Sequence, residues 1–312
     1  MRVPRSKVFA LTGSVIVGAL VTLQTAINGE LAHRLGTGAR AGVLAAVISF
    51  GTGLAVLTIA LLVLPSWRAQ LRRLHRTSTL ARWKLLGGTA GALLVASQGI
   101  TVSTIGVSLF VVAIVAGSTA SALWVDHIGL GPAGRSHVSA LRVIGAFITL
   151  VAVIVSTGVL TGSIPSHLVL WLALLPLLAG AATSVQQAIN GQVAIHSSAG
   201  VATWNNFLVG WIALVIAFAM SHVLPGAVRG LPSAPWLYLG GLIGVAFIAT
   251  ASIAVRVIGV LTFGLASVCG QVSTALVVDL IVAPDQVKTS TYVAAALTLI
   301  GVAVVASARR SS

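Results

Sequence analysis

The sequence predicts an all-α integral membrane protein of about ten transmembrane helices, arranged as two inverted five-helix repeats. Hydrophobic residues make up 57% of the 312 residues and charged residues only 7%, whereas a soluble domain carries about 25% charged residues. Unbroken apolar runs recur at close to the ~20 residues that a spanning helix needs. Similar polar and glycine motifs also appear in both halves of the chain.

Ten apolar segments, separated by turn residues and charges, are the predicted spans. A segment in lipid must satisfy its backbone polar groups within a helix or a closed barrel. Barrel strands alternate apolar and polar residues, and these runs do not, so helices are predicted. Only tight turns near Gly106 and Gly259 separate the third span from the fourth and the eighth from the ninth. The spans are 8–29, 41–64, 84–101, 104–125, 138–160, 168–190, 199–221, 236–255, 257–279 and 290–308.

Lysine and arginine are distributed unevenly between the two sides of this arrangement. The side that holds both termini carries 14 of the 18 basic residues, and six of them lie in the stretch 66–84. Short loops rich in lysine and arginine stay in the cytoplasm. The sequence therefore predicts that both termini are cytoplasmic. Topology is also a sufficient explanation of the net charge of +14, so no nucleic-acid partner is expected.

An internal repeat relates the two halves of the chain. The segment 24–30, QTAINGE, matches 186–192, QQAINGQ, at an offset of 162 residues. The glycine pattern at 87–91 matches 240–244 at an offset of 153 residues. Each half has five spans, an odd number, so the second half must enter the membrane from the opposite side.

The repeat defines two parts of one membrane domain, 1–162 and 163–312. Similar halves of opposite orientation are typical of secondary transporters, which bind their solute near the membrane midplane between the repeats. The organisation therefore favours transport over a purely structural role.

Carboxamide side chains inside the predicted spans are the candidate solute-binding residues. Lipid offers these groups no hydrogen-bond partner, so leaving them unpaired is costly. Residues four apart share one helix face, and both halves contain such a pair. The groups could bond one helix to another or bind a solute between the halves, and both interpretations stay open. The candidates are Gln24, Asn28, Gln98, Gln186, Gln187, Asn190, Asn206 and Gln271.

Three of the four acidic residues are candidates for coupling or gating: Glu30, Asp126 and Asp279. Asp126 and Asp279 end helices at matching positions, where a carboxylate opposes the helix dipole. Arginine, histidine or a cationic solute would compensate for that cost. A proton-carrying or gating role is one interpretation, and an interfacial ion pair or cap is the other.

The sequence lacks the motifs of common enzymes. HExxH, GxSxG and P-loop patterns are absent, and these are the usual signatures of zinc proteases, hydrolases and nucleotide-binding proteins. The single cysteine, Cys269, lies in an apolar run, and no metal-ligand spacing is present. No enzymatic activity, cofactor or metal ion is therefore expected.

The paired Gln-x-x-x-Asn-Gly elements, the glycine patterns and the segment 117–129, GSTASALWVDHIG, resemble the drug/metabolite transporter superfamily. Within it, the chain resembles the YdcZ-like branch of bacterial inner-membrane exporters over nearly its whole length. The resemblance implies a multi-pass protein of the bacterial inner membrane. It also implies a central cavity lined chiefly by the first, third, fourth, sixth, eighth and ninth helices. One departure is that the first half has Ser118 where the second has Gln271.

These features predict a secondary transporter that exports a small metabolite or drug-like solute by alternating access. Its expected partners are that solute and membrane lipid, and a homodimer stays open. One alternative is a lipid-linked carrier flippase, with a lateral opening to lipid and basic residues at one face. Another is a non-transporting membrane subunit or enzyme, with a solid interior or clustered catalytic groups.

Overall fold

The computed structural model describes residues 5–76, 79–132, 134–135, 139–156, 167–223, 226–282 and 287–307. Throughout these ranges the regular structure is helical, and the one β-bridge joins two loops, at Gly36 and Val228. The α-helices of the described chain are α1 Arg5–Leu35, α2 Gly38–Val63, α3 Pro65–Arg76, α4 Gly88–Ile128, α5 Ala140–Ser156, α6 His167–His196, α7 Ala199–Met220, α8 Gly240–Val282 and α9 Thr289–Ser307.

Seven stretches within the described ranges are long and apolar enough to cross a membrane. Two of them, Pro235–Ile258 and Phe263–Val282, are successive parts of the α8 region. Two shorter apolar helices, Ala140–Ala152 and Thr289–Val304, accompany the seven. The protein is therefore a multi-pass helical membrane protein.

Helix α4 is divided at Gly106 into a first segment, 88–105, and a second segment, 107–128. Its 41 residues would extend for about 60 Å if straight, about twice the bilayer core. Gly106 has φ 77° and ψ 166°, a conformation that is essentially restricted to glycine. Leu94 and Ile114, on either side of it, belong to one apolar cluster. The chain therefore folds back at Gly106, as the sequence predicted near this residue.

Substitution of Gly106 by alanine should destabilise the protein by about 1–3 kcal/mol, because a Cβ is disfavoured at this backbone conformation. Thermal unfolding of the purified protein in detergent measures the effect. Gly230→Ala is the matched control, since its added Cβ would meet no atom within 4 Å. Equal melting temperatures for the two variants would contradict the assigned turn.

Helix α3 lies in the basic stretch 66–84, whose composition predicts a connection between spans and not a helix. Trp67, Leu71 and Leu74 lie on one face and pack against α6 and α7 residues such as Val193 and Val201. This spacing of three and four residues is that of an amphipathic helix. The basic side chains of α3 are exposed, as expected of a helix at the membrane surface.

Two pairs of helices approach each other closely at glycines. In the α1–α8 pair, a Cβ on Gly18 or Gly270 would overlap a carbonyl oxygen of the facing helix. In the α4–α6 pair, the same holds for Gly117 and Gly180. Small residues let helix backbones approach in this way in membranes. Gly18 and Gly180 are separated by the repeat offset of 162 residues, and Gly117 and Gly270 by the offset of 153 residues. The two helix pairs therefore use matching glycine positions, with the two halves exchanged.

A second set of glycine contacts has the same reciprocal form. A Cβ on Gly88, in α4, would overlap the carbonyl oxygen of Asn206 in α7. A Cβ on Gly241, in α8, would overlap the carbonyl oxygen of Ser49 in α2. These crossings bring each half's glycine pattern against a helix of the other half.

Several helix ends differ from the predicted spans. Helix α1 continues to Leu35 and α6 to His196, each about two turns beyond the prediction. In α1 the extension carries a Glu30–Arg34 ion pair of 2.6 Å, and pairs four residues apart stabilise an exposed helical turn. Both ends of the predicted span 138–160 and the last residue of the predicted span 290–308 lie outside the described residues.

Candidate solute-binding cavity

A cavity lies among α1, α4, α6 and α8. Its volume, measured as the space open to the centre of a water-sized sphere, is about 70 Å³, and the cavity is partly open to the exterior. Both segments of α4 and both candidate spans of α8 contribute to its wall. These helices correspond to the six that the family resemblance implies for the lining of a central cavity.

The two sides of the cavity differ in chemistry. On the α4–α6 side, most lining residues are hydroxyl or carboxamide residues, whereas the α1–α8 side is mainly apolar, with Val17, Val21, Phe247 and Phe263. No charged side chain lines the cavity within the described part of the chain. The polar residues of the α4–α6 side are Ser118, Thr119, Thr183, Ser184, Gln186, Gln187 and Asn190.

The cavity lies toward the side of the membrane on which α1 begins, here called the near side. Ala10 and Val17, early in α1, pack in one cluster with Val125, Ala188 and Phe263. Val125 is near the end of α4 and Ala188 is in the last third of α6, so these helix ends share the near side. The opposite side, where α1 ends, is called the far side.

On the far side, the carboxamides of the first half form a sealed network. Asn28 donates from Nδ2 to Gln98 Oε1 at 2.7 Å, and Gln98 donates from Nε2 to Thr25 Oγ1 at 3.0 Å. Gln24 donates from Nε2 to the carbonyl oxygen of Gly240 at 2.7 Å. Gln24, Asn28 and Gln98 are at most 2% exposed. None of the three belongs to the described cavity wall.

On the near side, the matching carboxamides of the second half border the cavity. Gln186 and Asn190 both donate to Asn206 Oδ1, at 2.8 and 3.0 Å. Asn206 is fully buried behind them and is not part of the described wall. Gln187 lines the cavity, and no hydrogen bond joins it to another described residue. Gln271 lines it too, donating to Ser267 Oγ at 3.1 Å.

Asp126 is compensated by an arginine, as its position at a helix end required. Its Oδ2 accepts a hydrogen bond from Arg142 Nη2 at 2.7 Å. The Arg142 side chain is 4% exposed and that of Asp126 is 13% exposed. The pair joins the end of α4 to the start of α5 in a largely dry environment.

Asp279 is compensated differently. Its Oδ2 accepts from the backbone N–H of Ser108 at 2.9 Å, in the first turn of the second α4 segment. Backbone N–H groups at a helix start favour a carboxylate. Glu30 pairs with Arg34 at a half-exposed position. None of these three acids belongs to the described cavity wall, and their coupling or gating role stays a prediction.

Most of the hydroxyl residues of the cavity were not among the predicted solute-binding residues. Thr183 donates to the carbonyl oxygen of Gly180 at 2.7 Å, and such local bonds let hydroxyls reside in apolar helices without other partners. The sequence signal that could have found Thr183 is its spacing from the carboxamide candidates of the same helix. Thr183, Gln187 and Asn190 are spaced by four and three residues, which places them on one face of α6.

Comparisons with known proteins agree with this architecture. The family described as "Putative inner membrane exporter, YdcZ" matches residues 9–155 and 171–304. No curated protein sequence matched the chain. The family match covers nearly the whole chain in two segments. The chain therefore belongs to the YdcZ family of inner-membrane exporters in the drug/metabolite transporter superfamily.

Proposed function

We propose that this protein is a secondary transporter that exports a small metabolite or drug-like solute by alternating access. The moving parts are two inverted five-helix repeats, 1–162 and 163–312, with ten spans in total. The eight carboxamide candidates contribute in turn to a near-side and a far-side binding surface. This mechanism requires neither a cofactor nor an enzymatic step.

Three observations support the repeat. The 3₁₀ helices Arg82–Gly87 and Pro235–Leu239 precede α4 and α8 at matching positions. The glycine crossings occur in reciprocal pairs. The family matches one segment in each proposed half. If the long α4 region and the α8 region each count as two spans, the described helices supply ten.

The observation that carries the proposal is the unequal state of two matched carboxamide clusters. Gln186 and Asn190, which are 6% and 5% exposed, border the cavity on the near side, whereas Gln24 and Asn28, which are 2% and 0% exposed, lie outside its described wall on the far side. Equivalent elements in two states are what alternating access requires of inverted repeats. Exchange of the two states would expose Gln24 and Asn28 and seal Gln186 and Asn190.

The distribution of lysine and arginine indicates which side of the membrane the cavity faces. Lysine and arginine are concentrated on the near side, including the exposed arginines of α3, which supports a cytoplasmic near side. The open cavity then faces the cytoplasm, where an exporter receives its solute. A solute gradient or an ion gradient would drive the return of the empty carrier.

Reconstitution in proteoliposomes tests the function directly. A panel of labelled solutes is screened for movement with and without a pH gradient. Asn190→Ala and Asn28→Ala should each lower transport about tenfold, the factor that corresponds to 1.4 kcal/mol, because each removes hydrogen bonds from one cluster. Gln192→Ala is the matched control, since Gln192 bonds to the carbonyl oxygens of Leu130 and Gly131 and lies outside the described wall.

The folding of each variant in detergent is measured alongside its transport rate. Transport at the control level by folded Asn28→Ala and Asn190→Ala proteins would exclude the carboxamides from the mechanism. Unfolding of both variants would instead assign them a structural role.

A further inference from the structure

The far-side network contains one carboxamide with no equivalent in the other half. Gln98 lies between Asn28 and Thr25, accepting from the first at 2.7 Å and donating to the second at 3.0 Å. It is fully buried. The uncharged carboxamide of Gln98 therefore links Asn28 to Thr25 by accepting one hydrogen bond and donating another.

The counterpart of Gln98 in the second half is Ala251. The offset of 153 residues that relates them also relates Gly91 to Gly244. The structure anchors this register, because a Cβ on Gly91 would crowd Gln186 Nε2 and a Cβ on Gly244 would crowd Gln24 Nε2. The near-side cluster thus has an alanine at the position of Gln98, and its Asn190 donates instead to Asn206 Oδ1 at 3.0 Å.

The place that this carboxamide would fill is part of the cavity. Ala251 lines the cavity, as do Gln187 and Asn190, the counterparts of Thr25 and Asn28 at the offset of 162 residues. The cavity therefore takes the position that the Gln98 side chain occupies on the far side.

We propose that the cavity binds an uncharged solute through an amide group, which takes the place of the missing Gln98 carboxamide between Gln187 and Asn190. The inference deepens the proposed function and rests on it. The apolar body of the solute packs against Phe247 and Phe263. A charged solute is disfavoured because the described wall contains no charged partner, and burial of an unpaired ion is costly.

A substitution that restores the missing side chain tests the position. Ala251→Gln should raise the melting temperature above that of Ala251→Leu, because only glutamine can bond as Gln98 does, while both fill similar space. A melting temperature for Ala251→Gln at or below that of Ala251→Leu would overturn the assigned position.

An isosteric series tests the solute class. Benzamide, benzoate and benzamidine have similar shapes but are neutral, anionic and cationic at neutral pH. At millimolar concentration, benzamide should raise the melting temperature of the wild-type protein. It should not raise that of Ala251→Gln, whose own carboxamide fills the position. An absent benzamide shift, an equal shift from a charged analogue, or an undiminished shift in Ala251→Gln would overturn the proposal.

These binding measurements need no transport, so the two claims can fail separately. Benzamide binding that Ala251→Gln abolishes, without solute movement in proteoliposomes, would retain the amide site and reject the transporter. Transport of other solutes by a protein that ignores benzamide would retain the transporter and reject the amide site.

Discussion

Substitution of Arg142 by alanine should destabilise the protein by about 3–5 kcal/mol, because it leaves a largely buried carboxylate without its ion-pair partner. Arg142 is 4% exposed and donates to Asp126 at 2.7 Å. Asp126 also lies at the C-terminal end of α4, where the helix dipole disfavours its charge. Thermal unfolding in detergent measures the loss.

The Glu30–Arg34 pair provides a matched control on the same molecule. Its distance is 2.6 Å, but its side chains are 39% and 46% exposed. An exposed pair contributes about 0–1 kcal/mol, so Arg34→Ala should have little effect. The double variant Asp126→Asn, Arg142→Ala should recover part of the loss, because no buried charge then remains unpaired. Equal effects of Arg142→Ala and Arg34→Ala would contradict the buried pair.

A disulfide across the far side should reduce transport to the background level. In a Cys269→Ala background, cysteines replace Asn28 in α1 and Gly240 at the start of α8. A Cβ on Gly240 would lie 3.3 Å from Asn28 Cγ, the position that the sulfur of a cysteine at 28 would take. In a disulfide, a Cβ lies about 3 Å from the sulfur of its partner, so the two cysteines are close enough to form one. The bond would hold the far side closed and prevent release of the solute.

The reversibility of the disulfide separates locking from damage. Reduction should raise the transport rate of the double-cysteine protein to that of the Asn28→Cys single variant, which also lacks the Asn28 carboxamide. Oxidation should leave either single-cysteine variant unchanged. Rapid transport by a protein whose crosslinking is complete by gel analysis would mean that the far side does not need to open at this contact.

The membrane class and the helices were largely predictable, because apolar runs and their charged boundaries are local properties of the sequence. Gly106 was predictable as a turn for the same reason, since glycine tolerates a backbone that other residues avoid. Helix α3 was not, because its twelve residues are too short and basic to register as a span. Its helical face is defined by packing on α6 and α7.

The chemistry of the cavity was only partly predictable. Gln186, Gln187, Asn190 and Gln271 stand out in the sequence because carboxamides are costly in lipid, and all four line the cavity. Nothing in the sequence, however, separates them from the four candidates that the structure places outside the described wall. Whether a candidate lines the cavity depends on which of the two similar carboxamide clusters borders it in this structure. The four outside the wall are Gln24, Asn28, Gln98 and Asn206.

The partners of the acidic residues show the same limit. Helix-end geometry required compensation for both Asp126 and Asp279. It did not indicate that one would pair with Arg142 and the other with a backbone N–H at Ser108. Arg142 is 16 positions from Asp126 in the sequence, and Ser108 is 171 positions from Asp279. Tertiary packing therefore decides which partner each carboxylate has.

The most direct test of alternating access is the labelling of a single cysteine at Val21, in the middle of α1, from each side of the membrane. Val21 lines the cavity and is 9% exposed. In the Cys269→Ala background, an impermeant maleimide is applied to intact cells and to inverted vesicles. We expect labelling from both sides, with the transported solute shifting the ratio of the two rates. Labelling from one side alone, whatever the solute conditions, would contradict the account.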